Sequence, residues 1–213
     1  MDYFNTGLKL FNLIPTRQGL SSADQAYVDR VGNWPVKTIK IGRTPINEFV
    51  GALLSVATVG IWDQKVKKYG VDRVFHLFMV CGIQDPKTRL LSDCVLEKNS
   101  TVRVYPSKGS YDPGTEWYTV IEPYTGTINE LLDTTEAAVG KGKFWSYDAF
   151  QNNCQDFLVD LLGNSNILSP SSRAFIKQPI ADIAAELPDY TPGLASQITG
   201  ADARIRTLTG RGL

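Results

Sequence analysis

Nucleophilic chemistry in this chain can be built from few residues: it has a single histidine, His76, and three cysteines, Cys81, Cys94 and Cys154. An imidazole is the usual base for a cysteine nucleophile. An odd number of cysteines makes no disulfide framework, and one histidine among scattered cysteines has no zinc-ligand spacing, so free thiols and neither metal nor cofactor are expected. Cys154 sits in Tyr147-Asp148-Ala149-Phe150-Gln151-Asn152-Asn153-Cys154-Gln155-Asp156-Phe157-Leu158. The asparagines are N-cap residues by type, the stripe Phe157, Leu158, Leu161, Leu162 has helical spacing, and Gly163 supplies a stop. Cys154 thereby falls in a first helical turn, where unpaired N–H groups and the positive end of the helix dipole favour a thiolate, and Asn153 stands where it can position it. The competing reading is a core cysteine, because Cys154 is in phase with Phe157, Leu158 and Leu161 and unpaired cysteine is among the most buried residue types.

The histidine must be delivered by a strand. Val74-Phe75-His76-Leu77-Phe78-Met79-Val80 is apolar at successive positions, the pattern of a strand covered on both faces, with His76 its one polar interruption. Gln84-Asp85-Pro86-Lys87 has turn chemistry and Leu90 to Leu96 reads as the returning strand, which predicts a β-hairpin. With the turn centred between Pro86 and Lys87, Ile83 faces Leu90 and His76 faces Glu97. Side-chain alternation then puts His76 and Glu97 on one face and Cys81 and Cys94 on the other, leaving Cys154 as the thiol to meet the imidazole. Glu97 can orient the imidazole and stabilise its charged form, the third role of a triad, although a surface glutamate fits the same pattern. Asn99 has the same parity and takes that role if the hairpin pairs two residues further along.

The remaining elements follow from local signals. An amphipathic segment from Tyr3 to Ile14 and a capping box at Ser22-x-x-Gln25 predict a helical N-terminal extension over residues 1–35. Val36 to Ile41 alternates as a strand, and Thr44-Pro45 reads as an N-cap and first helical position for a helix with Ile46, Phe49, Val50, Leu53, Leu54 and Ala57 on its buried face. Asp63 to Tyr69 is a lysine-rich helical turn, Thr101 to Tyr105 a strand, and Pro106 to Gly126 a loop enclosing one more strand. Thr127 caps a helix through Ala138, which Gly140-Lys141-Gly142 breaks. Residues 167–213 form a helical extension and tail, with a helix near Ile180 to Leu187 and Arg204, Arg206 and Arg211 beyond Pro192.

Composition narrows the function classes. Lysine plus arginine number 22 and aspartate plus glutamate 22, so no charge excess points to nucleic acid or an anionic membrane. No apolar run approaches the roughly 20 residues that span a bilayer, and no secretion signal opens the chain, which predicts a cytoplasmic protein.

Taken in order, a histidine strand, a polar residue on the next strand, then Asn-Cys opening a helix late in the chain resemble the circularly permuted papain-like proteins, among them the PPPDE peptidases and the lecithin:retinol acyltransferase-like enzymes. The residues that carry the likeness are Phe75-His76-Leu77-Phe78 and Asn153-Cys154-Gln155-Asp156-Phe157, the latter similar to the Asn-Cys-x-x-Phe signature of those families; it covers residues 36–166. The resemblance implies an α+β fold, an antiparallel sheet packed against the cysteine helix, and a peptidase or isopeptidase using Cys154, His76 and Glu97 on a protein or peptide substrate. The acyltransferase relatives carry a second histidine that this chain lacks, so thiol acyl transfer or lipid ester hydrolysis stands as an alternative. From a different class, so does a non-enzymatic structural or interaction protein, such as a virion component. With Arg43-Thr44-Pro45-Ile46 ahead of the histidine strand, the whole chain also resembles proteins of large DNA viruses and their relatives, which implies host cytoplasm or virion as its location.

Overall fold

Five segments of the chain pair into one antiparallel sheet in a computed structural model that describes residues 19–46, 54–55 and 58–188. The strands are β1 (Val36–Pro45), β2 (Phe75–Gln84), β3 (Leu91–Lys98), β4 (Val102–Pro106) and β5 (Glu116–Val120), in the order β4-β3-β2-β1-β5. Around them lie α1 (Ser22–Val31), α2 (Ile61–Lys68), α3 (Ile128–Val139), α4 (Lys141–Trp145), α5 (Cys154–Asn164), α6 (Pro170–Ile176) and α7 (Ile180–Ala185). The protein is therefore of mixed α+β class.

One face of the sheet presents Ile39, Ile41, Leu77, Met79, Cys81, Ile83, Cys94, Leu96, Val102 and Val104 to the main core, which α1, α3 and α5 complete with Tyr27, Val28, Leu131, Phe157, Leu158 and Leu161. The other face carries a small cluster of Phe78, Val80 and Val95 beneath Tyr105 and Tyr111. Central β2 is thus covered on both sides, as its unbroken apolar run requires. Its Phe78 ring lies over Gly42 so closely that a Cβ there would meet the ring at 2.3 Å, and Tyr111 and Trp117 flank it with centroids at 5.5 Å.

The hairpin departs from the predicted register. Ile83 faces Ser92 and Phe78 faces Glu97, so β3 is shifted by two residues and His76 does not directly oppose Glu97. The loop is the cause. Asp85 accepts from the N–H groups of Lys87 (2.7 Å) and Thr88 (3.3 Å), and Arg89 adopts a left-handed conformation at φ 65°, lengthening the connection. Other boundaries move for equally local reasons. The cap of α1 is Ser21, whose hydroxyl accepts from the Asp24 N–H at 3.1 Å, one residue ahead of the predicted box. Thr44 and Pro45 belong to β1 rather than to a helix start. The Ile46 N–H turns toward β2, bonding Val74 O at 2.8 Å, so the Pro45 nitrogen faces the β5 side, where pairing has already ended at Arg43–Glu116. Lys141 restarts a short helix after Gly140, and α5 runs past Gly163 to Asn164, with Asn166 in the left-handed conformation beyond it.

Leu54 and Ser55 are helical and Ile46 is not, while residues 47–53 and 56–57 of the helix expected from Ile46 to Ala57, the segment Tyr3 to Ile14, and the arginine-bearing tail lie outside the described residues. Among the described residues no helix is long and apolar enough to cross a membrane.

Candidate active site

Helix α5 begins at Cys154 because Asn153 caps it from extended backbone. The Asn153 side chain accepts from the N–H groups of Gln155 (2.8 Å) and Asp156 (3.4 Å), while the Asp156 carboxylate returns to the Asn153 N–H at 3.2 Å. The Asn153 Nδ2 donates to Ala149 O at 3.0 Å, so the whole side chain is committed to holding the helix start. Phe157 N bonds Asn153 O, which leaves the Cys154 N–H as the first-turn amide without an acceptor among the described residues.

His76 enters from the opposite element. Pairing between β2 and β3 stops at Phe78–Glu97, whereas pairing with β1 continues to Phe75, so the sheet opens on the β3 side just where His76 stands. By strand parity His76 shares the face of Phe78, while Cys154 belongs to the core on the other face. The imidazole approaches the thiol at this opening, near enough for Cys154 to raise its pKa. It is held by Glu97, with His76 Nε2 3.0 Å from Glu97 Oε2. The two-residue shift does not break that contact, because the residue diagonal to a strand position remains within side-chain reach. Asn99, which the shifted register would set opposite His76, is not the residue the imidazole meets.

All three groups are largely removed from solvent: Cys154 is 7% exposed, and the side chains of His76 and Glu97 are 16% and 6% exposed. Burial opposes a charged imidazole, but the adjacent Cys154 and Glu97 side chains outweigh it and push the His76 pKa up to about 10. Burial likewise works against the Glu97 carboxylate, yet the His76 contact, the Tyr105 hydroxyl and the Arg103 charge hold its pKa below the ordinary carboxylate range. Tyr105 donates to Glu97 Oε1 at 3.1 Å, occupying the second oxygen. Cys81 and Cys94 face each other across β2 and β3, free and fully buried in the core.

Several neighbours were not read as site residues from sequence. Tyr105 carries a usable signal, since strand alternation puts it on the Glu97 face. Lys98 resembles a surface lysine, but its parity is that of the core. It is buried beside the start of α5, its Nζ donates to Lys143 O (3.2 Å) and Asn152 Oδ1 (2.9 Å), and burial lowers its pKa to about 8. Gln155 and Gln178, which join α5 to the α6–α7 connection, carry no sequence signal at all. Next to them opens a cavity of about 510 Å³ whose walls include Arg43, Phe75, Lys177 and Gln178. Arg43 is paired with Glu116 at 2.6 Å and Lys177 with Asp156 at 2.8 Å, so its charges largely balance internally. Among the described residues no cluster of histidine, cysteine and acidic side chains could hold a metal ion. In comparison with known proteins, no family model matches the chain, and no curated protein or solved structure matches it.

Proposed function

We propose that the protein is a cysteine-dependent hydrolase of permuted papain-like type, acting on a peptide or isopeptide bond. The observation that carries this reading is the single imidazole bonded to the buried Glu97 carboxylate and standing beside Cys154, whose thiol opens a capped helix. With Nε2 held by Glu97, His76 takes the thiol proton at Nδ1, and the sulfur attacks the acyl carbon. The Cys154 N–H is positioned to bond the oxyanion that forms. The imidazolium then protonates the departing amine, leaving a thioester on Cys154. Water, giving its proton to His76, cleaves that thioester and frees the acid and the thiol. The order of histidine strand, acidic strand and cysteine helix supports the permuted assignment. No helix among the described residues is long and apolar enough to cross a membrane, and the chain's 22 basic residues are matched by 22 acidic ones, which favours the peptide bond over a lipid ester.

The test is labelling with a thiol-reactive probe followed by peptide mapping. Cys154 is expected to react well ahead of Cys81 and Cys94, and His76→Ala to reduce its rate by about a hundredfold, within the range for loss of a general base. Equal, slow labelling of all three thiols in the folded chain would sink the proposal.

A further inference from the structure

We infer, building on the Cys154–His76 reading, that Gln178 is the positioning residue of the dyad: its side-chain amide replaces a missing strand beside β2 and locks that strand to the residue after the nucleophile. The argument starts from backbone accounting. Ile46 N bonds Val74 O, so residue 74 turns its polar groups toward β1, and residues 73 and 75 turn theirs toward β3. The β2–β3 pairing has ended at Phe78–Glu97, and the chain beyond β3 turns into β4. The Arg73 carbonyl and the Phe75 N–H would therefore lack partners.

Gln178 supplies both. Its Nε2 donates to Arg73 O at 2.6 Å and its Oε1 accepts from Phe75 N at 3.1 Å, one donor and one acceptor flanking a single residue as the peptide group of a neighbouring strand would. The same residue grips the other half of the dyad. The Gln178 N–H donates to Gln155 Oε1 at 2.9 Å, and Gln155 Nε2 approaches Gln178 Oε1 at 3.4 Å. Gln155 is buried and its own N–H is bound by the Asn153 cap. One glutamine thus spans from the residue before His76, through its side-chain amide, to the residue after Cys154, through its backbone N–H and the 3.4 Å contact at Oε1. Glutamine suits this role because its amide has both a donor and an acceptor; glutamate retains only the acceptor and methionine neither.

The experiment compares the full-length chain with Gln178→Glu and Gln178→Met, measuring the alkylation rate of Cys154 by iodoacetamide as a function of pH alongside the thermal midpoint. If Gln178 positions the dyad, both variants lose about tenfold or more in rate near pH 6, the order of effect expected for a misplaced catalytic group. Their rates converge on wild type near pH 10, where alkylation no longer depends on His76. A purely structural role would instead lower the midpoint and leave the shape of the profile alone; that result, or an unchanged profile, overturns the inference. If Cys154 of the wild-type chain does not outpace Cys81 and Cys94 near pH 6, the hydrolase reading itself falls and takes this inference with it. Selective wild-type labelling that survives both substitutions removes Gln178 alone.

Discussion

Glu97 is a buried carboxylate with both oxygens assigned, one to His76 and one to Tyr105, so removing its charge strands a buried imidazolium. The pH signature of this pair has a definite sign. Glu97 titrates below its ordinary value, so its contribution to stability is present above about pH 4.3 and is lost as pH falls through the lowered folded value. His76 titrates above its ordinary value, so its contribution is complete below about pH 6.5 and is lost as pH rises through about 10. Both are therefore intact only between roughly pH 4.5 and 6.5. Urea unfolding of Glu97→Gln is expected to show a loss of about 3 kcal/mol near pH 6, the scale for breaking one partner of a buried pair. The deficit should shrink toward pH 3 and again beyond pH 10. A deficit constant across that range would mean that the contact is not ionic.

At the scale of elements, the sequence predicts faces better than it predicts registers. Alternation along Val74 to Val80 and along the returning strand puts His76 with Glu97 and Cys81 with Cys94, and a shift by two residues preserves every one of those assignments. The shift itself was illegible, because it arises from Asp85 folding back on Lys87 and Thr88 and from a left-handed Arg89, a conformation that a non-glycine residue rarely announces. The Asn153 cap was legible because asparagine before an apolar helical stripe has few other uses, whereas Thr44-Pro45 looked equally good as a cap and was claimed by a strand ladder instead. The hairpin makes a prediction of its own. Cys81 and Cys94 lie opposite each other in the core, and burial raises both thiols, Cys94 to about 12 and Cys81 well above the ordinary range. Titration with Ellman's reagent near neutral pH should find one fast-reacting thiol, Cys154, in the folded chain and three after denaturation. Two or three fast thiols in the folded chain would contradict the pairing.

The whole molecule decides whether the segment after residue 166 is an appendage or a working part. A sequence reading ends the catalytic domain there, since nothing in Ser169-Pro170-Ser171-Ser172 or the helices beyond it signals a site. In the structure Ile176 is fully buried in the same core as β2 and α5, and Phe175 stacks on the Arg43 guanidinium at 4.4 Å, which carries Phe75 on its own ring contact at 4.6 Å. Lys177 pairs with Asp156 of the first turn of α5, and Gln178 bonds both sides of the dyad. The energetic and geometric shares of this segment differ in kind. Ile176 is buried along with Ile180, Ile183 and Leu187 of the same segment, each worth about 1.5–3 kcal/mol, which together rival the roughly 5–15 kcal/mol that holds a domain together. The hydrogen-bonded bridge from Arg73 and Phe75 to Gln155, by contrast, runs through Gln178. A chain ending at residue 168 therefore loses packing as well as positioning, and Ile176→Ala is the packing control, expected to stay folded with a lowered urea midpoint and to keep the preferential alkylation of Cys154 near pH 6. Gln178→Met in the full chain should lose the same preference with little change in midpoint. A truncated chain that keeps the preference would place the positioning of the dyad entirely within β2, β3 and α5 and make the C-terminal helices a separate addition.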